Sequence, residues 1–233
     1  MNENQIILLN NLGQDAKLLN LKTPSLESIE YAKMKGFNAI HLDTEHGSFD
    51  TVSVENICRL AIGMGMTVTA RVHEISGHNI NLYLDRGIQG IVGPHVETAE
   101  QALLLANSCL YPPIGNRSWG GGRGTEFNES EILTNKYGGK LGFSEWANRN
   151  MIVIAQKESE LAIDNLDEIL KIHGINRIAF GPHDLAASLG HPGNPDHSEV
   201  KIAHKEIERK SREAGKKLWN DGIINVVPDI FTI

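Results

Sequence analysis

The sequence predicts a (β/α)8 TIM barrel, and three observations point there: short apolar runs alternate with helix-like stretches, polar residues gather where those runs end, and the length suits one large core. With 233 residues, 40% of them hydrophobic, positions 1–233 are expected to form a single barrel domain.

Runs rich in β-branched residues at 16–21, 39–42, 67–72, 90–92, 151–155, 177–180 and, more weakly, 217–219 read as buried strands. Between them, residues 25–35 (behind Pro24), 51–64, 78–85, 98–107, 160–172 and 197–214 read as helices, several followed by a C-cap glycine. An open doubly wound sheet and a closed barrel both satisfy this rhythm. An open sheet gathers its ligands at one switch point, whereas a barrel spreads them around its mouth. Here Asp43-Thr44-Glu45-His46, Arg71, Gln156-Lys157-Glu158 and Gly181-Pro182-His183-Asp184 follow four different strands, which favours the barrel. Residues 111–150 interrupt the rhythm with Trp119-Gly120-Gly121-Gly122-Arg123-Gly124, and are expected to be a lid, a binding loop or an interface segment. Those glycines do not sit between a strand and a helix in the dinucleotide pattern, and there is no Walker sequence.

Composition excludes several classes. A net charge of −7 leaves no basic stripe for nucleic acid. Cys58 and Cys109 stand alone, which rules out a disulfide framework or a zinc knuckle. No apolar run approaches the roughly 20 residues of a membrane helix, and the opening residues carry Glu3 rather than a cationic leader, so no membrane partner and a cytoplasmic location are expected.

Glu158 and Asp184 each follow a strand, one βα unit apart. Adjacent barrel strands bring such acids together, and two hard oxygen ligands suit Mg²⁺ or Mn²⁺ better than Zn²⁺; the alternative is a pair of solvated loop acids. His46, just after the second strand, carries an imidazole suited to moving a proton near neutral pH, or is an ordinary surface histidine. Glu45 beside it could hold a metal-bound water. Arg71 ends the third strand, where a buried guanidinium needs an anion: either a developing enolate oxygen or a structural partner among the acids just named.

Asp43-Thr44-Glu45-His46-Gly47, Ala70-Arg71-Val72, Leu84-Asp85-Arg86-Gly87 running on to Gly93-Pro94, Gln156-Lys157-Glu158-Ser159, Gly181-Pro182-His183-Asp184-Leu185 and Ser188-Leu189-Gly190-His191-Pro192-Gly193-Asn194-Pro195 together resemble the class II pyruvate aldolases, the 4-hydroxy-2-oxoheptanedioate and 2-dehydro-3-deoxyglucarate aldolases. The likeness runs in order from about residue 21 to 200. It implies a (β/α)8 barrel in which Glu158 and Asp184 bind Mg²⁺ or Mn²⁺, with Co²⁺ also accepted. His46 is then the proton acceptor and Arg71 stabilises the enolate. Gln156 and the backbone N–H groups around Gly181, His183 and Asp184 hold the carboxylate of a small 2-oxo acid. The resemblance also implies a homo-oligomer, trimer or hexamer, with shared active sites, in which an Asp matching Asp85 comes from a neighbouring subunit to raise the basicity of His46. On this chain alone Asp85 falls on the wrong face of its own barrel, and Asp43 is the intramolecular alternative. The implied reaction cleaves a 4-hydroxy-2-oxo acid to pyruvate and an aldehyde. A related enolate-forming lyase and a non-catalytic barrel that binds a 2-oxo acid or metal are the rival readings.

Two departures accompany the likeness. After the seventh strand the family continues through a helix, an eighth strand and a closing helix, whereas here only residues 220–233 follow, so an incomplete or altered C-terminal unit is expected. Residues 223–227 or 230–233 are the candidates for a final strand, and Trp219 to Asp221 would border the substrate-methyl pocket. Lys157 replaces the usual small or apolar residue, and as Glu158's neighbour along the chain it should point to the opposite face.

Overall fold

The computed structural model describes residues 1–227. Its strands are β1 (Ala16–Leu21), β2 (Ala39–Asp43), β3 (Thr67–Arg71), β4 (Gly90–Gly93), β5 (Ile152–Lys157), β6 (Arg177–Phe180), β7 (Lys217–Leu218) and β8 (Ile223–Val226). The first helices are α1 (Gln5–Asn11), α2 (Leu26–Met34), α3 (Thr51–Gly63), α4 (Gly77–Leu84) and α5 (Ala99–Cys109). Then come α6 (Ser130–Tyr137), α7 (Lys140–Arg149), α8 (Glu160–Asp164), α9 (Leu166–Leu170), α10 (Pro182–Ser188) and α11 (Ser198–Glu213). Local chemistry explains the helix starts: Ser25 and Ser159 cap α2 and α8, Asp50 with Ser53 forms a capping box on α3, and Pro182 opens α10.

Strand alternation sorts the core into two layers. Leu18, Ala39, Val92, Ile152, Ile154 and Ala179 turn inward, with Ile6 of α1 closing the amino-terminal end beneath them. Their strand neighbours Leu19, Ile40, Val68, Ile91, Val153 and Ile178 turn outward and pack beneath the helices. Further along the inward stripe the residues become polar: His41, Asp43, Arg71 and Gln156 line one cavity of about 900 Å³. The apolar half of each strand builds the core of the curled sheet, and the other half supplies the site.

The expected closed barrel is corrected in one respect. All the pairings are parallel, but the order is β7-β6-β5-β4-β3-β2-β1-β8, a curled sheet whose ladder is open between β7 and β8. The reason lies in the link: β7 is two residues long, and residues 219–222 joining it to β8 are far too few for a crossover helix. The buried Arg177 braces this link. Its Nη1 donates to the carbonyls of Leu218, Trp219 and Asp221 at 3.1, 3.0 and 2.7 Å, and its Nη2 to Asn10 of α1 at 2.8 Å. Residues 223–226 form the final strand against β1, while the other candidate, 230–233, lies outside the described residues.

Residues 111–150 are also corrected, from a loop to a folded subassembly. A 3-10 segment (Arg123–Asn128) leads into α6 and α7, which close around Tyr111, Trp119, Tyr137, Phe143 and Trp146. The glycine run has a steric purpose: a Cβ on Gly124 would sit 1.9 Å from the Leu84 carbonyl, and one on Gly120 would sit 2.3 Å from Asp85 Oδ1. At Gly120, Gly122 and Gly124 the loop lies against the end of α4 with no room for a side chain. Gly124→Ala is therefore expected to cost about 3 kcal/mol, read as a fall in Tm of roughly 6–12 °C in calorimetry.

Lys157 follows the alternation rule. It lies wholly buried on the outward face of β5, with Nζ donating to the Val96 carbonyl at 2.8 Å. Burial pushes its amine down to about 7, with Glu97 pulling the other way. Because the folded value lies below the unfolded one, the unfolded chain binds the extra proton between about pH 7 and 10.5, and stability rises with pH across that window. Lys157→Met should thus stabilise by about 2 kcal/mol at pH 6, and its advantage should fade toward pH 10 in denaturant titrations. Among the described residues no helix is long and apolar enough to cross a membrane, and Cys58 and Cys109 are buried free thiols.

Candidate active site

β2 and β3 run in register so that Asp43 lies opposite Arg71. The guanidinium grips that carboxylate from two atoms, with Nε at 3.0 Å and Nη2 at 2.7 and 2.8 Å. Its remaining nitrogen, Nη1, faces Glu45 Oε2 at 3.1 Å. Burial pushes the Asp43 carboxyl up, but the Arg71 hydrogen bonds and charge outweigh it and hold the acid below its ordinary range. Asp43 also accepts the backbone N–H of His46 at 3.3 Å, so it shapes the turn that carries the imidazole.

The His46 ring is 58% exposed, with Nε2 3.9 Å from Glu45 Oε2. The acid beside the imidazole is therefore Glu45, not Asp43. Asp85 ends α4, ahead of β4, at the amino-terminal end of the strands, whereas His46 follows β2 at the carboxyl end. Burial raises the Asp85 carboxyl, opposed by Arg117 and Arg86, and its Oδ1 has no hydrogen-bond partner.

Glu158 is buried just beyond β5. Its Oε1 accepts the Gln156 amide, and its Oε2 accepts the His95 backbone N–H at 3.0 Å. Gly181, ahead of α10, passes directly over it: a Cβ there would meet Glu158 Oε1 at 2.3 Å. Asp184 stands exposed in the first turn of α10, and His183 beside it is an exposed residue on the cavity wall.

His95, which follows Gly93-Pro94, was missed in the sequence. Its backbone has φ +46°, which turns the ring between two acids, with Nδ1 3.4 Å from Glu158 and Nε2 3.6 Å from Glu45. His41 is a second residue not foreseen. Buried inside β2, it bonds Thr69 Oγ1 at 2.8 Å and tilts against Trp219 with ring centres 5.3 Å apart. Burial pushes its imidazole down to about 4, so at neutral pH it is an uncharged part of the cavity wall.

Among the described residues no lysine or arginine pairs with Glu158, and Glu45 Oε2 is buried without a hydrogen bond. Glu45 is already paired with Arg71, so it is the buried Glu158 carboxylate, with no lysine or arginine beside it, that fits a divalent ion at this mouth, and hard oxygen donors fit the magnesium class. Lys157, though its amine is depressed, turns away from the cavity and offers no Schiff-base nucleophile to it.

The family model described as HpcH/HpaI aldolase/citrate lyase matches residues 18–224. A 4-hydroxy-2-oxovalerate aldolase of Rhodococcus jostii is 34% identical over 206 residues, covering 87% of this chain and 74% of that protein. A 2-keto-3-deoxy-L-rhamnonate aldolase of Escherichia coli is 32% identical over 201 residues, covering 86% and 71%. A solved HpcH/HpaI aldolase from Desulfitobacterium hafniense superposes with a TM-score of 0.82 at 22% identity, covering 94% of this chain and 88% of that one, a likeness of fold alone. Matched from β1 to β8 and identical to a curated aldolase at about a third of the aligned positions, the chain belongs to the HpcH/HpaI aldolase/citrate lyase family.

Proposed function

We infer that this chain is a divalent-metal-dependent aldolase that cleaves a 4-hydroxy-2-oxo acid to pyruvate and an aldehyde. The observation that carries this reading is the continuous polar chain at the mouth, Asp43–Arg71–Glu45–His95–Glu158–Gln156, in a family whose matched relatives are named aldolases.

Glu158 and Asp184 are the residues proposed to hold Mg²⁺ or Mn²⁺, with Co²⁺ also accommodated, and the cation would supply Lewis-acid polarisation of the 2-oxo group. Gln156 and the N–H groups of His183 and Asp184 receive the substrate carboxylate; the expected Gly181 N–H is not free for it, being given to the Lys157 carbonyl at 3.0 Å. His46 takes the proton of the 4-hydroxyl, and the C3–C4 bond then breaks as the aldehyde forms. The electron pair moves to the 2-oxo oxygen as an enolate, where Arg71, already fixed by Asp43, adds positive charge with little reorganisation. Proton return at C3 gives pyruvate.

Asp85 enters this scheme only if a second copy presents it to His46, so the shared site of a homo-oligomer belongs to the same proposal. So does the complete (β/α)8 barrel, with the seam between β7 and β8 as a local opening in it. The test is release of pyruvate from 4-hydroxy-2-oxovalerate, followed with lactate dehydrogenase in the presence and absence of Mn²⁺. Turnover that requires the metal supports the reading; no turnover with this or longer 4-hydroxy-2-oxo acids overturns it in favour of a binding module.

A further inference from the structure

The loop joining α10 to α11 carries a cluster that the aldolase reading does not use. His191 follows α10, His197 is the N-cap of α11, and Glu199 lies in the first turn of α11. Backbone hydrogen bonds fold the loop on itself: His191 N–H to the Ala186 carbonyl at 2.7 Å, Asn194 to His191 at 3.0 Å, and His197 to Asn194 at 3.1 Å. The fold brings the two imidazoles face to face, with centres 3.5 Å apart and planes 25° off parallel. His191 Nε2 lies 2.8 Å from Glu199 Oε2. One donor atom from each of the three side chains falls within 4.8 Å of the other two.

We propose that His191, His197 and Glu199 form a second metal site, selective for a borderline d-block cation of the Zn²⁺ type. Two imidazole nitrogens and one carboxylate oxygen suit Zn²⁺, Ni²⁺ or Cu²⁺, while Mg²⁺ prefers oxygen alone. Tetrahedral Zn²⁺ with bonds of about 2.0–2.1 Å sets its donors about 3.3 Å apart, so the two stacked rings must turn out of their stack to aim their in-plane lone pairs at one ion. The fourth position faces solvent and is open to water. The partly exposed rings give entry to an ion, and the folded loop supplies the order that an unstructured histidine pair lacks. The site is separate from the Glu158 mouth, yet Pro195 and Asp196, held between the two histidines, line the 900 Å³ cavity. A bound ion therefore clamps one wall of that cavity and fastens the head of α11 to the end of α10.

The experiment titrates Zn²⁺ alone into the metal-stripped full chain by calorimetry, with millimolar Mg²⁺ present to occupy the oxygen-ligand site. One equivalent binding at micromolar Kd or tighter is expected. His191→Gln and Glu199→Gln should each weaken it at least about 10-fold, the floor set by losing even an outer-shell partner of a metal. Glu158→Ala should leave it unchanged. Co²⁺ bound to the Glu158→Ala chain should give the visible bands of a four-coordinate ion, lost in Glu158→Ala/His191→Gln. Glu199 is exposed and His191 partly so, and circular dichroism that matches the parent separates lost ligation from lost fold. Absence of Zn²⁺ binding at 0.1 mM, or binding untouched by His191→Gln, overturns the proposal.

Discussion

Glu158→Ala is expected to abolish Mn²⁺ binding at the mouth and to lower pyruvate release by about 10³-fold or more, several kcal/mol of lost charge stabilisation. The free-ion Mn²⁺ signal in electron paramagnetic resonance reads the binding, and the lactate dehydrogenase assay reads the turnover. Glu158→Gln sharpens the result, because it keeps the volume beneath Gly181 and an oxygen for the His95 N–H while removing the charge. A buried carboxylate without a cation is costly, so the metal-free Glu158→Gln chain should melt no lower than the parent. Normal Mn²⁺ affinity in Glu158→Gln would remove this residue from the metal site.

His46→Ala is expected to lower kcat/KM by about 10³-fold, within the range for loss of a general base, while Mn²⁺ affinity stays unchanged. The ring is more than half exposed and makes no hydrogen bond that holds the core, so Tm should hardly move. Glu45→Gln gives the companion result. Glu45 lies between Arg71 and His46, 3.1 Å from one and 3.9 Å from the other, and its loss should lower kcat less than His46→Ala does. Asp85→Asn separates the shared-site arrangement from a self-contained one, since Asp85 stands at the far end of its own strands. Activity equal to the parent in Asp85→Asn would remove the neighbouring subunit from the mechanism, and full activity in His46→Ala would remove the base itself.

Much of the sheet was legible because apolar and β-branched residues gather in the strands, β2 and β4 being buried at every position, and β1 and β6 begin and end where such runs do. The helices of 111–150 were not. α6 and α7 are held by aromatic packing around Phe143, a residue-specific contact that leaves little 3.6-residue periodicity. α10 was hidden inside the Gly181-Pro182-His183-Asp184 motif, although Pro182 at its first turn was the available signal. α1 was overlooked because its apolar run is short, and only the Asn4 cap marks its start.

At the site, the motif residues identified the mouth, but not who meets whom. Arg71 faces acids 28 and 26 positions away, and no spacing rule says that Asp43 takes two of its nitrogens while Glu45 takes the third. Glu45 beside His46 is a matter of side-chain direction within one turn. His95 escaped because its position depends on a left-handed backbone at a non-glycine residue, a conformation that pattern reading assigns to glycine.

The open seam between β7 and β8 has a consequence for motion. Elsewhere along the sheet neighbouring strands are tied by rows of backbone hydrogen bonds; between β7 and β8 there is no such row, and one guanidinium braces the link between them through three carbonyls and Asn10. Local opening is cheapest where the fewest bonds must break together. Amide protons of residues 217–222 should accordingly exchange with solvent through small excursions of this joint, before those of the laddered strands, and Trp219 at its edge lets those excursions reach the cavity.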